Sequence, residues 1–63
     1  MNERELDAVY THLCKTMTRV GESDAQLFLA RFAMLAIDRI GDAAVSQQLI
    51  DQAGKGLPEA VRS

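Results

Sequence analysis

The chain has 63 residues, a formal charge of −2 and a single cysteine. These exclude an intramolecular disulfide and a cysteine-rich metal site, and a pI near 5.1 leaves no basic surface of the kind that nucleic-acid binding uses. One small domain fits in this length; such domains bury only ~60% of their unfolded surface and usually need a staple, and with no disulfide or metal the staple left is a partner chain.

The first predicted element is a helix over residues 3–19. Leu6, Tyr10, Leu13, Met17 and Val20 step by four, three, four and three, with Val9 on the same side, which is the spacing of one helix face. Arg4, Glu5, Ala8, His12, Lys15 and Arg19 occupy the other side. Acidic residues come early and basic ones late, which complements the helix dipole. Gly21 ends the helix.

Ser23 with Gln26 three residues on matches a capping box and predicts a second helix over residues 24–40. It contains no glycine or proline and is apolar on most of its circumference. Its polar residues Asp24, Arg31 and Asp38 recur every seven positions on one narrow stripe. The plain reading of that stripe is a strip facing solvent; the sharper one is an ion-pair set at an interface. Gly41 stops this helix and Asp42 caps a third, shorter one over residues 43–53, with Val45, Leu49, Ile50 and Ala53 as its apolar positions. Gly54 and Gly56 close it, so the predicted domain is 1–56 and residues 57–63, which include Pro58, form a flexible tail. No segment reads as a strand.

Connections this short predict consecutive helices lying side by side and antiparallel. The expected fold is all-α: a compact three-helix unit, a helical hairpin plus a short third helix. A helix apolar nearly all round must be covered on most sides, and the other two helices offer too little to cover it. The core is therefore expected to be completed as a homodimeric bundle. Phe28, Leu29, Phe32, Leu35, Ala36 and Ile40 are the interface candidates, and each large side chain buried there stabilises by about 1.5–3 kcal/mol.

No constellation for chemistry emerges. His12 and Cys14 stand two apart, on different sides of a helix, whereas shared faces need spacings of three or four. His12 reads as a solvated side chain and Cys14 as a small buried hydrophobe. The carboxylates are scattered and no Glu-x-x-His pair marks a di-metal bundle. Gly54-Lys55-Gly56 lacks the spacing of a phosphate loop. The second and third helices could form a helix-turn-helix, but the would-be recognition helix has Gln47 and Gln48 and no Arg or Lys to hold phosphates. Catalytic, cofactor and metal residues are accordingly expected to be none. The longest apolar run, Phe32 to Ile37, is six residues against the ~20 that span a bilayer. Met1 to Glu5 is charged and has no signal-type apolar run behind it. The expected partners are thus another copy of the chain, another protein, or both, with no nucleic acid and no membrane. The expected compartment is the cytoplasm, where one unpaired cysteine stays reduced.

The segment Leu27 to Asp42, with Ala30-Arg31 inside it and Arg39-Ile40-Gly41-Asp42 at its end, resembles the DUF2783 family of small bacterial proteins of unknown function. With the flanking helices the resemblance covers roughly residues 6–54. It implies no catalytic residue. It does imply an accessory role beside flavin-dependent monooxygenases and other enzymes of aromatic catabolism. The expectation is a small non-enzymatic helical interaction protein, with a helix-turn-helix-like transcriptional regulator as the alternative.

Overall fold

The structure is a computed structural model and describes residues 1–60. It contains three helices, α1 (Glu3–Val20), α2 (Glu22–Ile40) and α3 (Ala43–Gly54), and no strand among the described residues. Each helix has a local cause. Asn2 caps α1 with a full capping box: its Oδ1 accepts from the Glu5 N–H at 2.8 Å, and the Glu5 Oε1 accepts from the Asn2 N–H at 3.1 Å. Two of the otherwise orphaned donors of the first turn are thereby satisfied. Gly41 ends α2 in the left-handed region, φ 66° and ψ 14°, and donates its N–H to the Ile37 carbonyl, the role for which glycine is suited at a helix terminus.

Asp42 starts α3. Its carboxylate accepts from the Val45 N–H at 3.0 Å. Removing an N-cap of this kind costs about 1 kcal/mol. Asp42→Ala is expected to lower the melting temperature by roughly 4–8 °C, read by circular dichroism.

The start of α2 differs from the capping box read at Ser23 and Gln26. The helix begins at Glu22, its N-cap is Gly21, and no side chain caps it. Asp24 donates its N–H to the Gly21 carbonyl at 3.2 Å. Ser23 is already inside the first turn, where its hydroxyl cannot serve as a cap. Gly21 thus closes α1, donating its N–H to the Met17 carbonyl, and opens α2 in the same residue. Its backbone, φ 87° and ψ 166°, lies in a region essentially restricted to glycine.

That junction overturns the compact hairpin. Among the described residues, no two positions twelve or more apart come within 8 Å, Cα to Cα. The helices meet only near their shared ends and then diverge. An antiparallel helical hairpin reverses the chain over a loop of about two to five residues; a single Gly21 does not supply that reversal. The Cα radius of gyration is 14.0 Å, against about 11 Å for a compact domain of this length.

The consequence for packing is severe. Of the described residues only Ser46 is buried, and no hydrophobic side chain is. Ser46 lies in the first turn of α3, donates its N–H to the Asp42 carbonyl at 3.0 Å, and keeps a hydroxyl without a partner. Leu13, Met17, Val20, Phe28 and Ala36 reach half-burial. Cys14, expected inside, is exposed, because no second helix runs along that side of α1. Residues 57–60 carry no regular structure. The rest of the tail expected over 57–63 lies outside the described residues.

Candidate functional site

Two apolar surfaces are left open. The first is the cleft inside the angle between α1 and α2, about 450 Å³, where Leu6, Val9, Tyr10 and Leu13 face Phe28 and Phe32. The stripe predicted for α1 therefore does point at α2, but its N-terminal half stands off from it. His12, Thr16 and Arg19 add polar groups to the lining. The Thr16 hydroxyl is already committed to the His12 carbonyl at 2.8 Å. His12 is exposed, as the helical pattern predicts.

The second surface is the outer face of α2. At about 100° per residue, Leu27 and Met34 fall on one side of the Asp24–Arg31–Asp38 stripe, and Phe28 and Leu35 on the other. Met34 is 69% exposed and Leu35 67%. They are the most exposed large apolar residues of this helix, so α1 and α3 leave this part of the face open, while at its N-terminal end Val20 of α1 lines a small cavity with Asp24, Leu27, Phe28 and Arg31.

The six interface candidates do not form one patch. Phe28 and Phe32 line the cleft. Leu35 stands on the outer face. Leu29, Ala36 and Ile40 cluster on the far side of the helix by their spacing; Ala36 is half-buried, and Leu29 and Ile40 are exposed. The residue that sequence reasoning passed over is Met34. Absent from the interface candidates, it is the most exposed large apolar side chain of α2. The signal was available: Leu27 to Met34 and Phe28 to Leu35 both step by seven, in phase with Arg31 to Asp38.

Among the described residues, no group of three or more His, Cys, Asp or Glu side chains could hold a metal ion. None of the helices described is long and apolar enough to cross a membrane. The α2–Gly41–Asp42–α3 junction has the outline of a helix-turn-helix, but α3 contains no lysine or arginine. No protein-family model, curated protein or solved structure matches the chain.

Proposed function

We propose that this chain is a small non-enzymatic interaction protein that completes its hydrophobic core by pairing with a second copy of itself. The observation that carries this reading is the exposed area. The chain leaves 6193 Å² accessible. A folded monomer of 6.9 kDa exposes about 4,000 Å². The excess is about 2,200 Å² per copy, or about 4,400 Å² for two, which lies within the 2,000–5,000 Å² range of obligate dimer interfaces. Among the described residues no apolar side chain is fully buried, which leaves a monomer little to offset the entropy of ordering its helices. The accessory role implied by the family resemblance belongs to the same reading. A dimer built on the outer face of α2 leaves the cleft lined by Tyr10 and Phe32 for a larger enzyme.

Sedimentation equilibrium tests the reading. The expected mass is about 13.8 kDa, twice the 6.9 kDa of one chain, throughout the micromolar range. A mass of 6.9 kDa with full helical content up to millimolar concentration overturns it.

A further inference from the structure

We infer that the second copy docks antiparallel along the outer face of α2, in the register that sets Arg31 opposite Asp38 of the other copy. This rests on the self-association just proposed and adds to it the face, the direction and the register.

The face is chosen by exposure. Met34 and Leu35 are 69% and 67% exposed and sit side by side at the midpoint between Arg31 and Asp38. Burial gains most where the most apolar area is open to water, and a two-fold pair places the same patch on both sides. The direction and register are chosen by charge. Arg31 and Asp38 are seven residues apart, about 10.5 Å along the axis, too far for a contact within one helix. In a parallel pair in register, like faces like at both positions. An antiparallel pair centred on Arg31 sets the two Arg31 side chains against each other and Asp38 against Asp24. An antiparallel pair centred between Met34 and Leu35 gives Arg31 to Asp38 twice and packs Met34 on Leu35 between them.

A competing antiparallel register, centred between Leu27 and Phe28, pairs Arg31 with Asp24. It is disfavoured because Phe28 is half-buried and lines the α1–α2 cleft, whereas Met34 and Leu35 face open solvent. Apolar burial supplies the affinity of the pair. The two ion pairs, partly desolvated, supply its register rather than net stability.

The test uses charge reversal in the full chain. Arg31→Asp places carboxylates opposite each other in both pairs, and Asp38→Arg does the same with guanidinium groups. Each single variant is expected to raise the dimer dissociation constant at least tenfold. The double variant is expected to return within about threefold of the wild type. Mixing the two single variants is expected to yield a heterodimer in preference to either homodimer, because both cross-pairs are then opposite in sign. That result cannot come from a contact within one chain. If Asp38→Arg dimerises as tightly as the wild type while Arg31→Asp does not, the Asp24 register holds and this one is wrong. If both single variants dimerise normally, the outer face of α2 is not the interface, although self-association stands. A monomeric wild type removes both proposals together.

Discussion

Under the self-association proposed above, tenfold dilution is expected to lower the melting temperature of this protein by about 5 °C. The figure follows from mass action: a tenfold change in concentration is worth about 1.4 kcal/mol of dimer stability. A two-chain unit of this size shifts by several degrees for each kcal/mol. A monomeric domain shows no such dependence. The effect is expected to be large because the proposal makes folding and association one event. α1 is long and well capped, yet isolated helices of this length are marginal in water, and the divergent arrangement only half-buries the apolar side chains at the α1–α2 junction, among them Leu13, Met17, Val20 and Phe28. Helical content measured by circular dichroism is expected to fall together with dimer mass as the protein is diluted, with one midpoint. Helicity that stays constant across the dissociation would show a stable folded monomer, contrary to the argument from exposed area.

Leu35→Asp is expected to abolish the dimer at micromolar concentration. Leu35 lies beside the two-fold axis proposed here, so each dimer loses two leucines. At the lower bound of about 1.5 kcal/mol for each buried side chain, the loss is about 3 kcal/mol, or roughly 100-fold in the dissociation constant. The two carboxylates left facing an apolar patch add a desolvation cost to that figure. Lys15→Asp, an exposed change on the polar side of α1, serves as the control and is expected to leave the dimer intact. Size-exclusion chromatography with light scattering separates the two outcomes. A dimeric Leu35→Asp variant would assign the contact to another face, with the cleft around Phe32 as the remaining candidate.

The elements of this fold were legible in the sequence, and their arrangement was not. Leu6, Tyr10, Leu13 and Met17 mark α1 by spacing alone, because helical periodicity is a local property. Gly41 and Asp42 mark the α2–α3 junction because a left-handed terminus and an N-cap each have a strong residue preference. The Asn2 and Glu5 capping box carries an equally clear signal, a capping residue followed three positions later by glutamate. The arrangement failed at one residue. Short connections ordinarily imply antiparallel neighbours, and that rule assumes a loop with enough torsions to turn back. Gly21 has only its own two. Cys14 reads as buried because free cysteine commonly is and because it flanks the α1 apolar stripe; with divergent helices no core forms there, and it is exposed. The candidate site was legible in composition, since α2 carries too much apolar surface to hide. Which side of α2 remains open depends on where α1 and α3 lie, and that is not a local property.

Gly21 also fixes how far this chain stands from a different architecture. A Cβ built there meets no heavy atom within 4 Å, so space does not demand glycine; torsion alone does. Any other residue makes that backbone costly: with ψ near 166° the nearest allowed region is extended, at negative φ, and only a change of both torsions to helical values would fuse α1 and α2. Residues 3–40 would then form one rod about 57 Å long, with the α1 stripe and the α2 faces brought onto a common axis. Such a rod has different surfaces to bury and selects a different oligomer. The angle between α1 and α2 thus hangs on the two torsions of a single residue.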